Sequence, residues 1–138
     1  FLKQLLSGKT PGPTVLVIDD ESFFLAGASL ALEQKGYRVF KAPNGAEGLK
    51  IAFEKKPSLI ILDVNMPGLS GWEVLSTIRA APPTKKTPVL LLTTVNSTGD
   101  INKAFEMGAN DYLMKPLNTE RLFQKVSALL PIRNYPLK

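Results

Sequence analysis

An α/β fold is predicted, a parallel sheet covered by helices on both faces, and three observations carry the prediction. Val15–Ile18, Leu59–Leu62 and Val89–Leu92 are unbroken apolar runs, whereas a half-solvated strand would alternate. A helical pattern comes after each run, and the strand-then-helix unit occurs five times. Right-handed crossovers then pack helices over both faces of one sheet.

Phe1–Leu6 begins without Met and lacks the long apolar core of a secretory signal, and Thr10–Pro13 (TPGP) separates it from the first strand. Residues 1–13 are expected to be the end of a linker in a chain cut from something longer. Val15–Ile18 is the first strand, ending in Asp19, Asp20 and Glu21. Ser22–Lys35 is rich in Leu, Ala and Phe and reads as a helix that Gly36 stops. Tyr37–Lys41 is a short second strand. Asn44 and Glu47 have capping-box spacing and open a helix to about Lys55, closed by Pro57. Leu59–Leu62 is the third strand, with Asp63 alone at its carboxyl end before a Pro-Gly turn. Ser70 and Glu73 form a second capping box, and Val74, Leu75 and Ile78 give that helix its apolar face. Ala80–Thr87, with Pro82 and Pro83, is a loop, and Pro88 can only begin the strand Val89–Leu92. Ser97–Met107 reads as a helix stopped by Gly108, and Asp111–Met114 as a strand ending in Lys115-Pro116. Asn118 or Thr119 caps a last helix whose Leu122, Val126, Leu129 and Leu130 share one face. The expected organisation is one domain over 14–130 with a C-terminal tail at 131–138.

Composition excludes several classes of function. The 138 residues are 44% hydrophobic and 21% charged, which is ordinary for a globular domain and argues against wholesale disorder. No apolar run approaches the ~20 residues that cross a bilayer. With no Cys and no His, the chain offers no disulfide, thiolate metal site or imidazole base, so any phosphohistidine must come from a partner. The net charge of +5 is carried by the ends: Lys3, Lys9, Arg133 and Lys138 lie in tails without an acid. Thirteen of the seventeen bases and all twelve acids remain between them, a net of +1. That distribution argues against direct nucleic-acid binding, and no interleaved basic-aromatic stripe supports it.

In an open parallel sheet, ligands bind outside the carboxyl ends of the strands. Asp19 and Asp20 lie after strand one, Asp63 after strand three, Thr93 and Thr94 after strand four, and Lys115 after strand five. Three carboxylates brought together repel by roughly 4 kcal/mol per pair at ~4 Å and an effective dielectric of about 20. A divalent cation relieves this, and an all-oxygen donor set points to magnesium, with manganese as the alternative, and away from zinc. Lys115 adds a second positive charge, and a Thr hydroxyl can hydrogen-bond an oxyanion. A carboxylate nucleophile, a hard cation, a lysine and a hydroxyl are the parts required to accept a phosphoryl group.

VLVIDDE, LIILDVNMPGLSGWEVL, PVLLLTT and GANDYLMKP together resemble the receiver domain of two-component response regulators, over Thr14 to about Leu130. The resemblance implies a flavodoxin-like (βα)5 three-layer sandwich with strand order 2-1-3-4-5. It also implies that Asp63 is the phosphoacceptor, that Asp20, Asp63 and the Asn65 backbone carbonyl hold magnesium, and that Asp19 assists through water. Lys115 would pair with the phosphoryl oxygens, with a cis bond to Pro116, and Thr93 and Tyr112 would form the switch pair. Implied partners are a histidine kinase or histidine phosphotransfer protein upstream, and an effector protein or attached domain downstream. The expected setting is cytoplasmic, as a monomer or weak phosphorylation-dependent dimer. No enzyme is expected beyond self-catalysed phosphorylation and slow dephosphorylation. Thr94 stands where the family usually has Ala or Gly. Ile101 and Asn110 replace a basic residue and an Asp used for dimerisation in one DNA-binding subfamily. Eight residues come after Leu130 in this sequence, and the output is expected to be another chain, a removed segment or a relay. Three alternatives are a receiver-like module that is never phosphorylated, a flavin-binding electron carrier and an aspartate-nucleophile phosphatase. The flavin carrier needs a glycine- and hydroxyl-rich loop where this chain has acids, and the phosphatase needs an Asp where Asn65 stands.

Overall fold

Strands that are apolar at every position need cover on both faces, and the computed structural model provides it. It describes residues 12–94, 98–115 and 118–132. The order is β1 (Thr14–Ile18), α1 (Ser22–Gln34), β2 (Arg38–Ala42), α2 (Gly45–Lys55), β3 (Leu59–Asp63), α3 (Gly71–Ala80), β4 (Val89–Thr93), α4 (Thr98–Glu106), β5 (Asp111–Met114) and α5 (Thr119–Leu129). All pairings are parallel, and the sheet order is β2-β1-β3-β4-β5, as expected.

Alternate residues of each strand feed two cores. On one face Leu16, Ile18, Ile60, Leu62 and Leu91 meet Ala52 of α2, Val74, Leu75 and Ile78 of α3, and Ala104 of α4. On the other, Val15, Val17, Leu59, Ile61, Leu90 and Leu92 meet Leu25 and Leu32 of α1 and Leu122 and Val126 of α5. Each fully buried Leu, Ile or Val contributes about 1.5–3 kcal/mol, so three central strands buried along their length fix both the register and the position of their ends.

Local signals set the helix limits. Ser70 and Glu73 form the reciprocal box that opens α3. Asn44 accepts from the Glu47 N–H at 2.8 Å, and Asn118, not Thr119, caps α5. Gly36 and Gly108 lie just past α1 and α4 with φ of 103° and 100°, a region that glycine enters without a Cβ penalty. Several boundaries move by one residue: β3 and β4 run on to Asp63 and Thr93, α1 ends at Gln34, and β2 spans Arg38–Ala42, with Tyr37 turned into the core so that its hydroxyl donates to the Leu130 carbonyl at 2.7 Å. In the last turn of α3, Arg79 donates to the carbonyls of Gly108 and Lys85 and to Asn110 Oδ1, so the loop after the helix is tied down despite two prolines. The predicted helix start at Ser97, the Lys115-Pro116 bond and, of the tails, residues 1–11 and 133–138 lie outside the described residues.

Candidate functional site

Because the five strands run the same way, their carboxyl ends share one edge, and the polar residues singled out from the sequence meet there. Asp19 is fully buried after β1, and its Oδ1 accepts the Glu21 N–H at 2.9 Å. Asp20 beside it is exposed. Asp63 ends β3 with 2% of its surface exposed, and its Oδ1 accepts the Asn65 N–H at 2.9 Å. Carboxylate oxygens of Asp19, Asp20 and Asp63 all lie within 4.8 Å of one another. Lys115 reaches in from the end of β5, where its N–H donates to the Thr93 carbonyl at 2.8 Å. Its ammonium lies 2.7 Å from Asp19 Oδ2, 2.7 Å from Glu21 Oε1 and 3.5 Å from Asp63 Oδ2.

The Lys115 ammonium faces three carboxylates and Asp20 adds a fourth to the cluster, which therefore holds excess negative charge. Burial raises the pKa of Asp63 most, and the Asp19 charge adds to this; the Asn65 N–H and Lys115 oppose it, and the net value is about 6. Burial alone would lower the pKa of Lys115, but hydrogen bonds to Asp19 and Glu21 and the charges of Asp19 and Asp63 outweigh it, so the ammonium is held protonated. Asp19 Oδ2 is buried, and its partner is the Lys115 ammonium at 2.7 Å. Three carboxylates whose oxygens converge within 4.8 Å, with a single ammonium among them, form an all-oxygen acidic cluster that fits a hard divalent cation.

Gly71 lets α3 approach this edge. A Cβ there would stand 2.3 Å from the Asp63 carbonyl oxygen and 2.4 Å from Val64 Cα, both backbone atoms. Across the mouth, Asn65 Nδ2 donates to Thr94 Oγ1 at 3.1 Å. Thr93 is 7% exposed, and with Tyr112, Val64, Trp72, Leu91 and Ala104 it lines a small, largely apolar cavity under β4. The half-buried Tyr112 ring packs edge-to-face on Phe105 of α4, with centroids 6.1 Å apart, and the Lys125 ammonium of α5 lies 5.7 Å from its centre.

Sequence reasoning missed Glu21 as a partner of Lys115, Phe24, whose ring lies 4.7 Å from the Lys115 ammonium, and the close approach at Gly71. Glu21 merely lengthens an acidic run, and nothing in the sequence pairs it with a residue 94 positions away.

The family model described as the response regulator receiver domain matches residues 15–127. The chain belongs to that family. Among similar proteins, the transcriptional regulatory protein AfsQ1 of Streptomyces coelicolor is 38% identical over 118 residues, which are 86% of this chain and 51% of that protein. PilH of Pseudomonas aeruginosa is 33% identical over 116 residues, covering 84% of this chain and 96% of its own length. This receiver therefore spans about half the length of the regulators resembling AfsQ1 and nearly all of PilH. The chemotaxis protein CheY4 of Vibrio cholerae superposes with a TM-score of 0.82 at 35% identity, covering 86% of this chain and 98% of that one. The receiver domain of a signal transduction histidine kinase from Syntrophus aciditrophicus superposes with a TM-score of 0.78 at 30% identity, covering 86% and 89%. Receiver domains are signalling modules, and no helix among the described residues is long and apolar enough to cross a membrane.

Proposed function

We propose that this receiver, spanning 14–130, takes a phosphoryl group onto Asp63 from a histidine kinase or histidine phosphotransfer protein and passes the signal to a downstream effector in the cytoplasm. The observation that carries this is the buried Asp63 carboxylate, fixed at Oδ1 by the Asn65 N–H and faced by the Lys115 ammonium at Oδ2. With a pKa of about 6 the group is ionised about ten to one at pH 7, so the nucleophile is available. A carboxylate oxygen of Asp63 attacks phosphorus while the donor's P–N bond breaks and its electron pair returns to the imidazole. Lys115, already protonated and held by Asp19 and Glu21, pairs with the phosphoryl oxygens, and the Thr93 hydroxyl donates to one of them. Asp20, Asp63 and the Asn65 carbonyl would hold magnesium or manganese, with Asp19 acting through water; the cation supplies charge neutralisation at the transferring group.

Phosphorylation draws Thr93 toward the new oxyanion and favours an inward rotamer of Tyr112, which lines the same cavity. The ring's position against Phe105 is then what an effector reads. Incubation with acetyl phosphate and magnesium, followed by intact-mass measurement, tests the assignment. One phosphoryl group is expected on the wild type and none on Asp63→Asn or in the presence of chelator. A receiver-like module that is never phosphorylated would stay unlabelled throughout.

A further inference from the structure

At the opposite edge of the sheet, the connections entering β2, β3 and β4 carry Lys35, Arg38, Lys55, Lys56, Lys85 and Lys86 and no acid. All six are exposed, and none is in an ion pair among the described residues; the Lys35 ammonium lies 4.8 Å from the centre of the Phe123 ring. The connection entering β5 instead carries Glu106 and Asp111, the latter paired with Lys125 at 3.0 Å. The basic surface is thus confined to β2 through β4, three strand spacings or about 14 Å across.

Lys35 and Lys55 sit at helix C-termini, where a base is favoured without any ligand. That cause also covers Lys56, the residue capping α2, although its φ of +46° is a conformation that glycine or asparagine adopts at lower cost; it does not extend to Arg38, Lys85 and Lys86, which lie outside helices. Two of these bases, Lys85 and Lys86, line a groove of about 530 Å³ together with Pro57, Ser58, Pro82 and Pro83, and Lys55 and Lys56 immediately precede its Pro57 in the chain.

We propose that this groove takes an extended acidic polypeptide segment of a partner protein. Proline-rich walls hold the groove in shape, so an extended chain loses less free energy to ordering its host, and Lys85 and Lys86 in its lining match carboxylates. The connections entering β2 through β4 expose no large apolar side chain to insert into a membrane. Nor do they present a helix or ribbon that could enter a duplex groove. The surface lies a full strand length from Asp63, about 17 Å, so the partner can stay bound in either phosphorylation state.

The test titrates a short oligoglutamate peptide into the full chain and follows backbone amide shifts at low salt. Shifts should cluster on Ser58 and Lys85–Thr87, and Lys85→Glu with Lys86→Glu should weaken binding about tenfold or more. Lys55→Gln with Lys56→Asn, which keeps a residue suited to the left-handed backbone, should weaken it about threefold even if the charge reversal fails to fold. The proposal is overturned if the shifts fall elsewhere, if folded variants bind as tightly as wild type, or if oligoglutamine binds equally well. Tighter binding of random-sequence duplex DNA or of phosphatidylserine vesicles at the same salt also overturns it.

Discussion

Asp63→Asn should stabilise the metal-free protein at neutral pH, although it removes the residue assigned the central chemical role. Asp63 is 2% exposed, and its carboxyl titrates near 6 instead of its ordinary 3.8. Two pKa units correspond to about 3 kcal/mol. The folded pKa is raised, so stability from the neutral carboxyl is complete below about pH 4 and is lost as the pH rises through 6. At pH 7.5 the folded state must hold a buried charge beside Asp19, and the amide removes that demand while its oxygen can still accept the Asn65 N–H. The net shift already includes the attraction to Lys115, so the expected stabilisation is about 2–3 kcal/mol at pH 7.5 and close to zero at pH 4. Urea unfolding in the presence of chelator, at both pH values, measures this. A variant less stable than wild type at pH 7.5, or a difference that does not change with pH, would refute the electrostatic account of the site.

Thr93→Ala should still be phosphorylated on Asp63 but lose the coupled response of Tyr112; chemical-shift changes at Tyr112 as large as in wild type would show that no such relay exists. Gly71→Ala should cost about 1–3 kcal/mol in urea unfolding, because the new Cβ meets backbone atoms of Asp63 and Val64 that cannot swing aside. Thr94→Ala should free the Asn65 side chain from across the mouth of the site and speed loss of the phosphoryl group about fivefold, the equivalent of one hydrogen bond of about 1 kcal/mol. Time-resolved intact mass checks this, and an unchanged lifetime would mean that the Asn65–Thr94 bridge does not limit access.

Much of this could be read from the chain because burial on both faces leaves an unmistakable sequence pattern. Runs such as Leu59–Leu62 admit few alternatives, and a parallel sheet then brings residues from four separate strands to one edge. Side-chain partnership was less legible. Asp19 and Asp20 are adjacent acids, yet one is buried against Lys115 and the other faces solvent, a difference set by the direction of the chain as it leaves β1. Tyr37 has the composition of a strand residue but is turned inward to reach the Leu130 carbonyl, 93 positions on. The Asn65–Thr94 bond joins two loops that sequence spacing alone cannot bring together.

The central claim is that Asp63, and no other carboxylate of the cluster, carries the phosphoryl group. Borohydride reduces an acyl phosphate to the alcohol, converting the phosphorylated aspartate to homoserine, which peptide mapping then locates. After treatment with phosphodonor and magnesium, homoserine is predicted at position 63 alone. Homoserine at position 19 or 20, or none at any position in protein that has gained a phosphoryl group, would contradict the account.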